Sequence, residues 1–323
     1  MRAVRSLPLI ASLALLALVA APACSSSHPA PAALTGDDGG GPVRGEYDPV
    51  PFGGSRPVKL YVPSGYTGAP TPLVILLHGY SANGEEEELY LGLRQVAEAK
   101  TVLYAHPDGT MNPAGDRFWN ATDACCDFYG SNVDDSGYLT SLVKEIGTRY
   151  AVDPDRVYFI GHSNGGFMSY RMACDHADMV AAIVSLAGAM WEDTSRCKPS
   201  APVSVLEVHG TADNEVLYDG ASGVANDGGL VNDGAYPGAT TSVADWATFD
   251  GCATPPDTSL PPLDIDASIA GAETRVTRYA AGCRSGSEVD LWTIQGEGHI
   301  PGFNANFAPM AFDFLLAHPK QKP

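Results

Sequence analysis

Short, continuously apolar runs recur along this chain, separated by polar turns or by segments with helical spacing. A run of about four to eight apolar residues bounded by turn signals is typical of a strand buried on both faces of a parallel sheet. Such runs occupy residues 72–77, 101–105, 157–160, 181–186 and 202–208, and two later ones occupy 274–279 and 289–294. We therefore predict an α/β fold with a mostly parallel central sheet.

Helical spacing fills the intervals between these strands, which predicts helices on both faces of the sheet. Residues 85–100 carry acidic side chains in the first turn and Lys100 in the last, as the helix dipole favours. Asp134 and Asp135 are expected to cap a helix that reaches residue 150. The remaining predicted elements are helices at 242–251 and 307–318 and a half-exposed antiparallel strand at 58–62.

Size and charge limit the function classes. The 323 residues suffice for one large α/β domain and leave little room for a second. The formal charge is −19, because 38 acidic residues stand against 19 basic ones. Binding nucleic acid depends on neutralising phosphates with Lys and Arg, so this balance argues against a nucleic-acid partner. We expect a monomer.

The first residues resemble an export signal. Arg2 and Arg5 precede an apolar run at 7–20, and a small-residue cleavage site ends at Ala23. The apolar run is too short to cross a bilayer, so we predict a signal peptide at residues 1–23 and an extracellular protein.

Cys24 would be the first residue of the mature chain, where bacterial lipoproteins carry their lipid. Ala21 stands where such signals usually have leucine, so a lipid anchor on Cys24, with membrane attachment through it alone, and plain secretion both stay open. Residues 24–47 are rich in Pro, Ala, Gly and Asp and are predicted to form a flexible tether. The catalytic domain would then span residues 48–323.

The other cysteines indicate disulfides. They are Cys125, Cys126, Cys174, Cys197, Cys252 and Cys283. An even number in an exported protein favours disulfides, although spacing does not fix their connectivity. Cys252 and Cys283 stand at the two ends of one polar insertion, and we predict that pair. The spacing matches no zinc pattern, so no metal is expected.

The stretch Gly161-His162-Ser163-Asn164-Gly165 carries the chemistry. It has the G-x-S-x-G pattern of a nucleophile elbow, in which a serine sits at a sharp turn between a strand and a helix. The pattern alone is weak, but an apolar run precedes it and a helical pattern follows it, as the motif requires. Ser163 is the predicted nucleophile, and the side chain of His162 is expected to point away from it.

An activated serine needs a base, and the base needs a carboxylate that holds its tautomer. In α/β-hydrolases these residues follow in the order Ser, Asp, His, on loops after strands. Asp213 follows the run at 202–208, with Asp219 as the reserve candidate, and His299 follows the last run. Ser163, Asp213 and His299 are therefore the predicted triad.

Acyl transfer also needs two backbone N–H groups that stabilise an oxyanion. The N–H of Asn164, after the nucleophile, and that of Tyr80, in the loop after the strand at 72–77, are the candidates. Residues 111–133 are predicted to form a long irregular segment, which is either a functional loop or a surface loop that is merely cross-linked by cysteines. Within it, Trp119 is the one candidate aromatic for facing the substrate, with a core position as the alternative.

Six motifs together carry a family resemblance: Leu76-Leu77-His78-Gly79, Arg117-Phe118-Trp119, Val133-Asp134-Asp135, Gly161 to Gly166, His209-Gly210-Thr211-Ala212-Asp213 and Gly296-Glu297-Gly298-His299. The chain resembles the polyhydroxybutyrate depolymerase and feruloyl esterase group of secreted serine esterases, over nearly all of 58–318. The resemblance implies a single α/β-hydrolase domain that cleaves esters through an acyl-enzyme without a cofactor. It implies substrates such as feruloyl or acetyl esters of plant xylan, or short-hydroxyacid polyesters.

Two other hypotheses about the function remain open. A secreted serine peptidase of the prolyl-oligopeptidase type could share the motif and the triad order, although the chain has no room for the large gating domain of that class. The other alternative is a non-catalytic binding protein on a hydrolase fold.

Overall fold

The structure is a computed structural model, and it describes residues 43–222 and 234–320. The strands are β1 (Glu46–Tyr47), β2 (Tyr61–Val62), β3 (Thr71–Leu77), β4 (Leu103–Ala105), β5 (Thr110–Met111), β6 (Arg117–Phe118), β7 (Val152–His162), β8 (Ala182–Leu186), β9 (Ser204–Gly210), β10 (Gly220–Ala221), β11 (Tyr236–Pro237), β12 (Thr274–Tyr279) and β13 (Val289–Ile294). The helices are α1 (Gly84–Leu91), α2 (Leu93–Lys100), α3 (Asp135–Arg149), α4 (Asn164–Asp175), α5 (Ala239–Phe249) and α6 (Phe307–Ala317).

One sheet organises the fold. Its strand order is β1-β2-β4-β3-β7-β8-β9-β13-β12. The strands from β4 to β13 in this order run parallel, while β1 and β2 at one edge and β12 at the other are antiparallel. The carboxyl ends of the parallel strands therefore lie along one edge of the sheet, where ligands bind in open α/β sheets. The predicted α/β fold with a mostly parallel sheet is confirmed.

Both faces of the sheet are buried, which explains the continuously apolar runs. Leu73, Ile75 and Leu77 of β3 pack into one core cluster, and Val74 and Leu76 pack into the other. Successive side chains of a strand point to opposite faces, so each strand contributes to both clusters. Residues of α3, α4 and α5 cover the first face, and residues of α1, α2 and α6 cover the second.

The structure departs from the predicted elements in two places that matter for the site. The single helix predicted at 85–100 is two helices, because Gly92 has φ 63° and ends α1. Its left-handed conformation is one that glycine adopts at little cost. The predicted tether at 24–47 was too long at its C-terminal end, since Glu46 and Tyr47 pair with β2 in the sheet.

The predicted half-exposed strand at 58–62 is shorter and more buried than expected. β2 contains only Tyr61 and Val62, and both are buried because Val62 packs into one core cluster and Tyr61 into the other. The signal peptide, the lipidation candidate Cys24 and most of the predicted tether lie outside the described residues. Within the described ranges, no helix is long and apolar enough to cross a membrane.

Three disulfides join all six cysteines of the described residues. They are Cys125–Cys126, Cys174–Cys197 and Cys252–Cys283. The structure thus contains the predicted pair, which links the end of α5 to the turn after β12. The bond between the adjacent residues Cys125 and Cys126 was not predicted.

Candidate active site

Ser163 sits at a sharp turn between the end of β7 and the start of α4. Its backbone has φ 55° and ψ −120°, a conformation that costs a non-glycine residue about 1–3 kcal/mol. The Ser163 N–H donates to the carbonyl oxygen of Leu186 at 2.7 Å, which ties the turn to β8. This hydrogen bond to β8 therefore helps to stabilise the strained backbone conformation of Ser163.

The two flanking glycines are required by close backbone contacts. A Cβ at Gly161 would collide with the carbonyl group of Gly165. A Cβ at Gly165 would collide with the carbonyl group of Leu77, at the end of β3. The G-x-S-x-G spacing is thus the condition under which β7 and α4 can meet beside β3.

His299 and Asp213 are hydrogen-bonded to each other, although 86 residues separate them in the chain. The Nδ1 atom of His299 donates to Oδ2 of Asp213 at 2.8 Å, and both side chains are buried. The other carboxylate oxygen of Asp213 accepts from the N–H groups of Glu215 and Val216. With its proton on Nδ1, neutral His299 keeps Nε2 as a base. Burial would raise the pKa of Asp213, but its bonds to His209 and His299 outweigh this and lower it.

A second histidine, His209, also contacts the carboxylate of Asp213. Its Nε2 donates to the carbonyl oxygen of Val216 at 2.8 Å and lies 3.2 Å from Oδ2 of Asp213. Its Nδ1 lies 3.2 Å from Oε1 of Glu207. Burial would lower the pKa of His209, but the two carboxylates outweigh it and raise the pKa to about 9. In the sequence, His209 stood out only as part of a motif. Its position four residues before Asp213 could have identified it as a partner of that carboxylate.

The loop after β3 lies against Ser163, the predicted nucleophile. A Cβ at Gly79 would lie 3.5 Å from Cβ of Ser163, and Tyr80 lines the same cavity as Ser163. The N–H of Asn164 is the first of α4, where no preceding turn supplies an acceptor. Within the described residues, the N–H groups of Tyr80 and Asn164 donate to no other residue. Both predicted oxyanion donors are therefore unengaged beside Ser163.

A cavity of about 520 Å³ opens at Ser163 and His299. Much of its wall is apolar or aromatic, with Tyr80, Tyr90, Phe128, Val216, Ile300 and the Cys125–Cys126 disulfide. Its acidic side chains are Glu86, Glu87 and Glu215, and the described wall contains no Lys or Arg. Oε2 of Glu215 lies 3.8 Å from Nε2 of His299. Such a wall favours neutral, partly apolar ligands.

Trp119 was the candidate aromatic for facing the substrate, with a core position as the alternative, and the structure shows the core position. Its side chain is fully buried and is absent from the cavity wall. Its indole N–H donates to the carbonyl oxygen of His78 at 3.1 Å. Its backbone N–H and C=O bond the side-chain amide of Asn164 at 2.7 and 2.9 Å. A buried indole needs a polar partner. Through these hydrogen bonds Trp119 connects the loop after β3 to the elbow.

Three further expectations have clear outcomes. Asp134 caps α3 as predicted, accepting from the N–H of Gly137, but Asp135 is buried and pairs with Arg56 at 2.5 Å. Asp219, the reserve acid, is exposed and has no hydrogen bond to His299. The side chain of His162 was expected to point away from the nucleophile, yet it lines the same cavity.

Comparison with known proteins places this geometry in a family. Residues 57–248 match the family model described as Esterase PHB depolymerase. The chain belongs to the Esterase PHB depolymerase family. The sequence resemblance to this group of ester hydrolases is therefore confirmed.

Two relatives illustrate this membership of the Esterase PHB depolymerase family. The chain is 30% identical to feruloyl esterase B of Piromyces equi over 264 residues, which cover 80% of this chain and 45% of that protein. It is 29% identical to the putative esterase NocK of Nocardia uniformis subsp. tsuyamanensis, covering 80% of this chain and 75% of that one. The chain thus spans less than half the length of the first relative and three quarters of the second.

A solved structure supports the fold. The acetyl xylan esterase from Aspergillus awamori superposes with a TM-score of 0.56 at 16% identity, covering 84% of this chain and all of that one. At this identity the likeness shows the fold, which is that of the α/β-hydrolases.

Proposed function

We propose that this protein is an exported serine carboxylic-ester hydrolase that works through an acyl-enzyme, with Ser163, His299 and Asp213 as the triad. The observation that carries the proposal is the 2.8 Å bond from Nδ1 of His299 to the buried Asp213. It fixes the imidazole with Nε2 as the base, in a cavity that also contains the strained Ser163.

The proposed reaction has two halves. Ser163 Oγ attacks the ester carbonyl carbon while Nε2 of His299 takes the hydroxyl proton, and Asp213 stabilises the resulting imidazolium. The tetrahedral intermediate collapses, His299 protonates the leaving alcohol, and an acyl-Ser163 ester remains. His299 then takes a proton from water, which attacks the acyl carbon. The second tetrahedral intermediate collapses with cleavage of the bond between the acyl carbon and Ser163 Oγ, His299 returns the proton to Oγ, and the acid is released.

The oxyanion of each tetrahedral intermediate is bound by the N–H groups of Tyr80 and Asn164. These donors have no other partner among the described residues, so stabilising the oxyanion breaks no existing bond. Preorganised donors of this kind are worth about 2.7–4 kcal/mol each. They supply the electrostatic part of catalysis, and the triad supplies the nucleophile.

The cavity supports a neutral ester with an aromatic or short acyl group. Tyr80, Tyr90 and Phe128 offer ring faces to an aromatic acid, and Glu86 and Glu215 disfavour an anionic substrate. The relative named feruloyl esterase B points the same way. We infer feruloyl or acetyl esters of plant xylan as the substrate class, with hydroxybutyrate oligomers as the alternative.

Export is part of the same proposal. The positively charged, apolar and small-residue segments before residue 24 support cleavage by a signal peptidase. Three disulfides fit an oxidising compartment. Intact-mass analysis of the protein released from or retained on cells distinguishes a free N-terminus at Cys24 from a lipid-modified one.

The test is hydrolysis of methyl ferulate, p-nitrophenyl acetate and a hydroxybutyrate trimer by the mature protein, each beside Ser163→Ala. We expect turnover of methyl ferulate and p-nitrophenyl acetate, lost in Ser163→Ala by at least about 10³-fold. Turnover of the trimer alone would move the substrate class to polyesters. Cleavage of ferulic amides as fast as of esters, or full activity in Ser163→Ala, would contradict the proposal.

A further inference from the structure

One buried carboxylate outside the triad touches two of the segments that build the site. Glu87 lies in α1, and its side chain is buried. Its Oε2 accepts from the N–H of Gly79 at 3.0 Å, in the loop that carries the oxyanion donor Tyr80. Its Oε1 lies 3.5 Å from Nδ1 of His162, the residue before the nucleophile. Glu87 therefore links the oxyanion loop to the elbow.

His162 extends this link to the third segment. Its Nε2 donates to the backbone carbonyl oxygen of His299 at 2.9 Å, and the two imidazole rings lie 4.9 Å apart. The centre of the Tyr90 ring lies 5.6 Å from that of His162. A series of contacts thus runs from Gly79 through Glu87 and His162 to His299. It connects the loops that carry the proposed oxyanion donor, nucleophile and base.

The contacts of this buried pair favour the charged form of both groups. Burial would lower the pKa of His162, but Glu87, the His299 carbonyl and the more distant charge of Asp213 outweigh it and raise the pKa. Burial would raise the pKa of Glu87, but contact with His162 and the Gly79 N–H lowers it. A buried charge pair is costly and seldom adds stability over an apolar pair of the same volume. A role in positioning would explain such a pair here.

We propose that Glu87 and His162 are positioning residues, which hold the oxyanion loop and the His299 loop in register with Ser163. The proposal rests on the proposed function, because it concerns the same site. Neither side chain takes part in bond making. Both act through the backbone of Gly79 and His299, so they govern the geometry in which attack occurs, and a displacement of about 1 Å there can cost about 100-fold in rate.

The test compares Glu87→Ala, Glu87→Gln and the control Glu85→Ala on p-nitrophenyl acetate. Glu85 lies in the same helix turn, is exposed and is absent from the cavity wall. We expect Glu87→Ala to lower kcat about 10- to 100-fold with KM changed less than about threefold, because positioning affects the transition state more than ground-state binding. Glu85→Ala should equal the wild type.

Glu87→Gln tests whether positioning needs only the hydrogen bonds of this side chain or also its negative charge. Its amide oxygen can still accept from Gly79, and its NH₂ can donate to Nδ1 of a neutral His162 that keeps Nε2–H on His299. We expect kcat within about threefold of the wild type near neutral pH. Rescue by Gln but not by Ala is a result that a purely structural role would not give.

His162 provides a second arm in case Glu87→Ala folds poorly. His162→Gln can still donate to the His299 carbonyl, whereas His162→Phe fills the space without a donor. We expect His162→Gln to retain more than about ten times the kcat of His162→Phe, with rates normalised to active sites by phosphonate titration. Equal kcat per active site in all variants would overturn the positioning role. A wild type without ester turnover would instead overturn the proposed function.

Discussion

The carboxyl edge of the sheet and the cover segment, defined here as residues 109–134, meet at one cavity but are held by different means. The edge carries Ser163, Asp213 and His299 directly after β7 or in the loops that follow β9 and β13, and each of these strands is hydrogen-bonded to a neighbouring strand on both sides. The cover segment has only the two-residue strands β5 and β6, and it is held by a disulfide, by turn contacts and by the hydrogen bonds of Trp119 to His78 and Asn164. Hence the sheet topology positions the proposed catalytic groups, while contacts outside the sheet shape the proposed substrate-binding wall.

This difference predicts where substitutions act. A change at the edge should lower kcat or unfold the protein, because it disturbs reacting groups or ladder contacts. A change in the cover segment should alter the preference among substrates and leave the chemistry intact. The outcomes below run from the largest expected effect to the smallest.

Asp213→Asn tests the edge most strongly. An amide there no longer holds the tautomer with the proton on Nδ1 of His299, so we expect kcat to fall by about 10⁴-fold. Asp219→Asn is the matched control, since Asp219 is exposed and on the same loop. Steady-state kinetics on p-nitrophenyl acetate measure both. A loss in Asp219→Asn comparable to that in Asp213→Asn would mean that the acid is misassigned.

Gly165→Ala tests the steric requirement of the elbow. Its Cβ would collide with the Leu77 carbonyl, and we expect a loss of about 3–5 kcal/mol in the free energy of unfolding. Gly147→Ala is the control: it lies within α3 with no atom near its Cβ position, and should gain about 0.5–1 kcal/mol. Urea unfolding measures both. Equal stability of Gly165→Ala and the wild type would refute the close approach of α4 to β3.

His209 makes the stability of the edge depend on pH. Its folded pKa of about 9 lies above the ordinary value of 6.5, so it contributes stability that is fully present below about pH 6.5 and is lost as pH rises through about 9. We expect the free energy of unfolding to fall by about 2–3 kcal/mol over that interval. Urea unfolding at pH 6, 7.5 and 9 should show this fall in the wild type and a flatter profile in His209→Gln. An unchanged profile would assign the slope to other groups.

Phe128→Ala tests the cover segment. Phe128 lines the cavity, so its loss should lower kcat/KM for methyl ferulate about tenfold, or about 1.4 kcal/mol, and leave p-nitrophenyl acetate nearly unchanged. Tyr129→Ala is the control, because Tyr129 is the neighbouring aromatic, is exposed and does not line the cavity. An equal loss on both esters would mean that the cover segment affects the chemistry itself.

The same contrast explains what could be predicted from the sequence. The apolar runs indicated the sheet, and the glycines around Ser163 indicated the elbow, because both follow from local sterics and burial. Asp213 and His299 could be chosen because carboxyl ends of parallel strands share one edge. The structure brings these two together as that reasoning requires.

The remaining features depend on contacts that a sequence pattern does not encode. The sequence left Trp119 either at the substrate or in the core, because its place is set by hydrogen bonds to His78 and Asn164, which are distant in sequence. The contacts of Glu87 with Gly79 and His162 likewise depend on how α1 packs. Gly92 broke a helix that looked continuous, since an isolated glycine in a helical pattern can be tolerated or can end the helix.

The central claim is that Ser163 forms the acyl-enzyme, and covalent labelling tests it most directly. The mature protein would be incubated with a p-nitrophenyl alkylphosphonate and examined by intact-mass spectrometry and peptide mapping. The account predicts one phosphonyl adduct, on the peptide that contains Ser163, with loss of ester turnover in proportion to labelling and no adduct in Ser163→Ala. An adduct that persists in Ser163→Ala, or full labelling of Ser163 with undiminished turnover, would contradict it.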